Sequence, residues 1–179
     1  PDGRLVAQAE HIPVHLGAMP ETVREVLDTV ELRPGDLVAC NDPFAGGTHL
    51  PDISMVSGVF AKGRMIALLA SRAHHSDVGG SSAGSLGLAS EIYQEGLVLP
   101  PVRLLSEGRL QGDLRAVICS NSRSPFERAG DLEAQVAAHN VGERRMLALA
   151  TRYGREGLAG RFADLMDYSE ELTRLALGD

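Results

Sequence analysis

The chain has 179 residues, of which 44% are hydrophobic, and this is enough for one domain with a buried core. Its 24 acidic and 17 basic residues give a net charge of −7. That balance argues against a nucleic-acid surface, because affinity for phosphates comes mainly from Lys and Arg. No apolar stretch reaches about 18 residues, so the sequence predicts no membrane span, and its start lacks a signal-peptide layout.

The apolar runs of the first 111 residues are short and are separated by Gly, Pro, Asn and Asp. We predict strands or extended segments at 3–8, 37–40, 53–60, 65–73 and 97–105. A helix should open at Pro20, which suits a first turn and precedes one apolar helical face. The stretch 11–19 before it, with His11 and His15, is predicted to be a connection.

From residue 112 onward, apolar residues recur at helical spacing. We predict a helix beginning there, a longer one after it and a terminal amphipathic helix that stops at Gly178. The predicted fold class is therefore α+β, with a mixed or antiparallel sheet in the N-terminal part followed by a helical C-terminal part. Residues 1–111 form the β-rich metal-site region of this prediction, and residues 112–179 form its helical region.

Cys40 and Cys119 lie far apart in the sequence and have no CxxC spacing. Two scattered cysteines form neither a disulfide framework nor a zinc knuckle. We expect both to be reduced core residues in a cytoplasmic protein.

Two polar clusters flank the hairpin predicted from residue 53 to residue 73. His49 and Asp52 precede its first strand, and His74, His75 and Asp77 follow the returning strand. Because the open end of a hairpin brings its two termini together, we expect the clusters to be neighbours. The HxxD spacing is also common by chance, and two ordinary polar loops are the alternative interpretation.

Neighbouring side chains on a strand point to opposite faces. Only one of His74 and His75 should therefore reach a metal bound by His49 and Asp52, and spacing does not decide which. Asp77 would orient an imidazole by accepting its free ring N–H. Two imidazoles and a carboxylate with open positions suit Mn, Zn or Fe as a divalent ion.

Candidate substrate-binding residues are Asn41, Asp42 and Glu95. Asn41 and Asp42 precede Pro43, and an Asx turn is the competing interpretation. Glu95 follows Glu91 by four residues, so the pair forms either a polar helical face or an acid/base site.

Three further features allow more than one interpretation. His11 and His15 are packing or loop residues, or one of them completes a metal shell. A polar set interrupts an apolar helical face and is predicted to line a pocket or an interface: Gln135, His139 and Asn140. "GGSSAGS" lacks the GKS/T ending of a phosphate loop, so we predict that ATP is not bound here.

Three long segments resemble the hydantoinase B/5-oxoprolinase family: "NDPFAGGTHLPDIS", "ASRAHHSDVGGSSAGS" and "EIYQEGLVLPPVRL". The flanks "GRLVAQAEHIPVHLGAMPETV" and "GDLEAQVAAHNVGERRMLALATRYG" extend the resemblance over about residues 2 to 154. The family includes N-methylhydantoinase B subunits, the C-terminal part of 5-oxoprolinase and the α subunit of acetone carboxylase. Because its members are longer, the resemblance implies that this chain is an internal segment of a longer protein.

The resemblance also implies a metal site, which holds manganese in the acetone carboxylase relatives. Carried over by position, its ligands would be His49, Asp52 and His74, and the choice of His74 over His75 rests on the resemblance. The family further implies a hetero-oligomer with an ATP-using A-type subunit that phosphorylates the substrate.

We therefore expect a metal-containing B-type component of an ATP-dependent amidohydrolase that opens a hydantoin or 5-oxoproline-like cyclic amide. His75 and Asp77 would assist proton transfer or orientation. The alternatives are the α subunit of an acetone- or acetophenone-type carboxylase and a non-catalytic assembly module of such a complex.

Overall fold

A computed structural model describes residues 2–9 and 12–178. Within these residues, five strands form one sheet, and three α-helices accompany it. The strands are β1 (Leu37–Cys40), β2 (Asp52–Ala61), β3 (Arg64–His74), β4 (Val102–Ser106) and β5 (Arg109–Leu110). The helices are α1 (Val14–Thr29), α2 (Gly112–Ser120) and α3 (Pro125–Leu177). Short 3-10 turns lie at Pro43–Ala45, Ala83–Ser85 and Ile92–Gln94.

The strand order is β3-β2-β1-β4-β5, and each neighbouring pair is antiparallel. The central hairpin turns at Lys62 and Gly63, whose φ angles of 51° and 74° are those of a tight two-residue turn. The apolar runs and the Gly-containing turn of the sequence predict both of its strands. An antiparallel sheet followed by a helical C-terminal part confirms the predicted α+β class.

Side-chain alternation along the strands divides the core between the two faces of the sheet. Val38 and Val56 pack with α1 residues such as Val26 in one apolar cluster. Ile53 and Met55 belong to another cluster, which includes Ile118 of α2 and Leu132 of α3. Odd-numbered β2 residues near its start therefore face α2 and α3, and even-numbered ones face α1.

The N-terminal predictions need correction. Helix α1 begins at Val14, so Pro20 lies inside the helix and not at its start. An interior proline removes one backbone hydrogen bond and crowds the carbonyl four residues before it, but the apolar face that follows Pro20 still packs on the sheet. Residues 3–8 form no strand and pair with no strand of the sheet, and Gly3 lies beside Val23 of α1. His11 lies outside the described residues.

The longer helix and the terminal helix predicted after α2 meet at Gly154 in the structure, and both are included in α3. Helix α3 runs from Pro125 to Leu177 with a single break at Gly154, whose φ of 69° and ψ of 166° are not helical. Gly178 ends it in a left-handed conformation. Among the helices of the described residues, none combines the length and apolar character that crossing a bilayer requires.

Candidate metal centre

The open end of the β2–β3 hairpin brings the predicted ligands together. Asp52 and His74 are direct partners in the β2–β3 pairing, and Ser54 and Arg72 are partners two residues further along. Residues two apart on a strand share a face, so these two pairs are adjacent on the sheet face that α1 covers. His49 joins them from the loop before β2.

Two imidazoles and one carboxylate meet at this point. The ligand atoms of His49, Asp52 and His74 all lie within 4.8 Å of one another. The Nδ1–H of His74 donates to Asp52 Oδ1 at 2.8 Å, and the His49 and His74 rings stack with centroids 5.7 Å apart. The sequence gap of 25 residues between His49 and His74 is closed by the hairpin.

The cluster has an anchored side and an accessible side. Asp52 is buried, and its second oxygen, Oδ2, accepts a hydrogen bond from Thr48 Oγ1 at 2.9 Å. The His74 side chain is 58% exposed. A ligand or water from solvent therefore approaches along the imidazoles, while the carboxylate is held from behind.

The donor set fits a divalent metal ion. Ligand atoms about 2.1 Å from one ion are separated by roughly 3.0 to 3.4 Å, depending on whether the coordination is octahedral or tetrahedral. The contact of 2.8 Å between His74 and Asp52 is close to that separation. Three protein ligands beside solvent leave positions for water or substrate.

His75 lies on the opposite face of the sheet from His74, as strand alternation predicts. It is fully buried, and its Nε2 lies 2.9 Å from Gln135 Oε1 of α3. Gln135 Nε2 donates to the Ile53 carbonyl, which fixes Oε1 as the acceptor toward His75. Burial lowers the pKa of His75 although the bond to Gln135 opposes this shift, and the imidazole is neutral at pH 7.

His139 extends the same buried polar layer. Its Nδ1 lies 2.7 Å from Ser57 Oγ, and its Nε2 lies 3.0 Å from Ser71 Oγ. Burial lowers the pKa of His139 to about 4. The helical face that carries Gln135 and His139 therefore packs on the sheet through polar contacts, and does not line a solvent-open pocket.

Asp77 is directed toward the α2–α3 junction. Its carboxylate accepts from the Arg123 guanidinium at 2.9 Å, from the backbone N–H of Arg123 and from the Gly79 N–H at 3.1 Å. Burial raises the pKa of Asp77, but these donors outweigh it and hold the pKa below its usual range. No bond from Asp77 to the imidazoles of His74 or His75 is found within residues 12–178.

Asn41 and Asp42 both shape the loop after β1. The buried Asn41 side chain donates to the Leu50 and Leu97 carbonyls at 2.7 and 2.9 Å and accepts from the Leu99 N–H at 2.7 Å. Asp42 Oδ1 accepts from the Phe44 N–H at 2.9 Å. This contact forms the Asx turn that is the competing interpretation of the sequence. These contacts hold the loop that delivers His49.

Glu95 follows the 3-10 turn Ile92–Gln94, so Glu91 and Glu95 do not share a helical face. The backbone carbonyl of Glu95 accepts from Ser85 Oγ. The substrate-binding role of its carboxylate stays a prediction. His15 lies in the first turn of α1, where its Nδ1 is 3.3 Å from Arg72 Nη1.

A model of the family described as hydantoinase B/oxoprolinase matches residues 1–179. The chain belongs to this family. The β subunit of caprolactamase from Pseudomonas jessenii is 34% identical over 178 residues, covering 98% of this chain and 31% of that protein. The 5-oxoprolinase of Dictyostelium discoideum is 36% identical over 157 residues, covering 86% of this chain and 12% of that protein. The chain thus spans less than a third of these relatives.

Solved structures share the fold of this hydantoinase B-type chain. The ATP-dependent caprolactamase from Pseudomonas jessenii matches with a TM-score of 0.88 and 32% identity, over 97% of this chain and 31% of that chain. Acetone carboxylase in its nucleotide-free structure matches with a TM-score of 0.65 and 18% identity, over 83% of this chain and 19% of that chain. The second likeness concerns the fold alone.

Sequence reasoning missed the residues that support the hydantoinase B-type cluster. Thr48 holds the Asp52 carboxylate, and Arg72 and Ser54 form the next pair on the same face. One signal was present in the sequence: Arg72 is a charged residue two positions before His74 on a predicted strand. The residue two positions before a candidate ligand on a strand lies beside that ligand on the same face of the sheet.

Proposed function

We propose that this chain is the metal-binding part of a B-type component of an ATP-dependent amidohydrolase that opens a cyclic amide. The observation that carries the proposal is the His49–Asp52–His74 cluster at the accessible end of the hairpin. The relatives named 5-oxoprolinase and caprolactamase support the substrate class, because 5-oxoproline and caprolactam are both cyclic amides. A hydantoin is a third substrate of this kind.

In this proposal His49, Asp52 and His74 hold a divalent metal ion, with manganese preferred and zinc or iron as alternatives. A mixed set of imidazole and carboxylate ligands is suited to each of these ions. When bound there, the ion would polarise a carbonyl group or activate a water molecule. Thr48 keeps the Asp52 carboxylate turned toward the imidazoles through its hydroxyl.

The contacts of His75 and Asp77 favour a positioning role for both residues over direct contact with substrate. Gln135 holds His75 on the far face of the sheet, and Arg123 holds Asp77. Together these two contacts hold the backbone that follows β3, directly after His74. Asn41 and Asp42 act similarly on the loop that carries His49.

We further propose that an A-type subunit uses ATP and works with this component in a hetero-oligomer. The caprolactamase relative is named a β subunit, and the solved caprolactamase is described as ATP-dependent. A cytoplasmic setting is part of the same proposal. It is supported by the free thiols of Cys40 and Cys119.

The test uses the complete protein purified with its partner subunit. Wild type should contain close to one equivalent of a transition metal, measured by inductively coupled plasma mass spectrometry. It should also hydrolyse hydantoin, 5-oxoproline or caprolactam only with ATP. His49→Ala and Asp52→Asn should lose most of the metal and at least about 100-fold in turnover, because ligand or charge is removed from the site.

Asp113→Asn is the matched control, since Asp113 is exposed in the first turn of α2. It should leave metal content and turnover unchanged. A wild-type protein without transition metal, or His49→Ala with full metal content, would exclude the metal site. Turnover of acetone with bicarbonate instead of a cyclic amide would indicate a carboxylase, and full activity of Asp52→Ala would indicate a non-catalytic module.

A further inference from the structure

Arg72 is a half-buried charged residue beside the cluster, and its guanidinium connects three separate parts of the chain. Its Nε donates to Ser54 Oγ on β2 at 2.8 Å. Its Nη2 donates to Thr22 Oγ1 of α1 at 2.7 Å and to the Gly46 carbonyl at 3.1 Å. Its Nη1 contacts His15 Nδ1 at 3.3 Å and Thr48 Oγ1 at 3.5 Å.

These five contacts equal the number of N–H groups in a guanidinium. Within residues 2–9 and 12–178, all three nitrogens of the Arg72 guanidinium therefore contact protein atoms, although the residue lies next to the candidate metal site. Its role differs from that of an arginine that binds an anion. The acceptors belong instead to helix α1, strand β2 and the loop of residues 46–48.

The contacts continue from Arg72 to a metal ligand. Thr48 Oγ1 accepts from Arg72 Nη1, and its hydroxyl donates a hydrogen bond to Asp52 Oδ2 at 2.9 Å. The Gly46 carbonyl, held by Arg72 and Thr22, lies three residues before His49. Arg72 thus restrains Asp52 through a hydroxyl and His49 through the backbone of its loop.

The two glycines of this loop explain how it comes so close. A Cβ on Gly46 would lie 2.4 Å from the Thr22 backbone nitrogen, and one on Gly47 would lie 2.5 Å from the Asp42 carbonyl oxygen. Gly46 also has a φ of 80°, which side chains rarely allow. The loop can be docked on α1 only with glycine there, and docking brings its carbonyl to Arg72.

We propose that Arg72 is a positioning residue for the His49–Asp52–His74 cluster, which it aligns by fastening the 46–49 loop to α1 and to the hairpin. The inference rests on the proposed metal-binding function of that cluster. Lys at this position would retain a positive charge but not the planar fork of donors. Arg72→Lys should therefore misplace the ligands without removing any of them.

The experiment measures Mn²⁺ binding by calorimetry in the complete protein, for wild type and Arg72→Lys. We expect Arg72→Lys to weaken Mn²⁺ binding by about 10- to 100-fold, the usual effect of losing a group that orients metal ligands. Arg64→Lys is the matched control, because Arg64 is exposed at the other end of β3. It should bind Mn²⁺ as wild type does.

Thr48→Val interrupts the path from Arg72 to Asp52 without altering Arg72. It also provides the test if Arg72→Lys does not fold. It should weaken Mn²⁺ binding, and its effect should not add to that of Arg72→Lys if both act on Asp52. The visible spectrum of bound Co²⁺ should shift in each variant. A purely structural role would lower the unfolding temperature but leave the Co²⁺ spectrum unchanged.

The outcomes separate the two proposals. If wild type binds neither Mn²⁺ nor Co²⁺, the metal-binding function fails, and the role of Arg72 fails with it. If wild type binds Mn²⁺ and both Arg72→Lys and Thr48→Val bind it equally well, only the positioning role is wrong.

Discussion

His74 and His75 are adjacent in the sequence but have different surroundings. His74 is exposed beside Asp52 and His49, whereas His75 is buried against Gln135 on the other face of the sheet. Strand alternation alone separates them. The same chemical group therefore serves as a candidate metal ligand at one position and as a neutral packing residue at the next.

The burial of the His139 imidazole leads to a prediction about how folding stability depends on pH. Its pKa in the folded protein is about 4, below the ordinary value of 6.5. Between these values the unfolded chain takes up a proton that the folded chain does not. Stability should therefore fall by about 1.4 kcal/mol per pH unit as the pH drops from 6.5 to 4, by about 3 kcal/mol in total from this residue.

Urea unfolding of the purified chain at several pH values between 7 and 4 tests this prediction. His139→Gln keeps an amide that can bond to Ser57 and Ser71 but cannot titrate, so its curve should be flatter over that range. His75 contributes in the same direction and remains in the variant. Asn140→Gln, at an exposed neighbouring position, should follow wild type. Equal slopes in His139→Gln and wild type would contradict the assignment.

At the scale of elements, the hairpin was predictable and the loops beside it were not. Alternating apolar runs and the turn at Lys62–Gly63 specify β2 and β3 locally. The convergence of Asp52 and His74 then follows from the pairing. The docking of residues 46–48 on α1 depends on long-range contacts through Arg72 and Thr22, and no local spacing encodes such contacts.

The close contact of the 46–49 loop with α1 leads to a prediction about Gly46. Gly46→Ala would put a Cβ against the backbone of Thr22 and force a positive φ on alanine, so loop and helix must separate. We expect a loss of at least about 3 kcal/mol in unfolding free energy, together with weaker Mn²⁺ binding. The measurements are urea denaturation and calorimetry.

Gly63→Ala is the matched control for this prediction. Gly63 has a similar φ of 74°, but nothing lies within 4 Å of the position of a Cβ. Only the conformational strain applies there, at about 1 to 2 kcal/mol. Equal losses of stability in Gly46→Ala and Gly63→Ala would show that the loop is not held against α1.

At the scale of the whole molecule, helix α3 packs on the sheet through only one part of its length. Within residues 12–178, the buried residues of α3 lie between Arg128 and His139, with Leu158 as the only one after them. Large apolar side chains further along are substantially exposed, among them Leu165, Tyr168, Leu172 and Leu175. The amphipathic pattern predicted a helix here, but periodicity alone does not say what a helix packs against.

This difference along α3 should be visible in amide hydrogen exchange. Residues 128–139 pack on the sheet, and their amides should exchange only with global unfolding. Residues 155–177 follow the break at Gly154 and have little buried surface. A helix of that length without packing is only marginally stable in water, so its amides should exchange orders of magnitude faster in the chain of residues 1–179.

A chain ending at Tyr153 provides the companion measurement. Since the sheet contacts of α3 lie before the break, removal of residues 154–179 should change the unfolding free energy by less than about 1 kcal/mol. Exchange as slow in 155–177 as in 128–139, or unfolding of the shortened chain, would mean that the distal helix is part of the cooperative core. In that case α3 would support the sheet, and with it the candidate metal site, along its whole length.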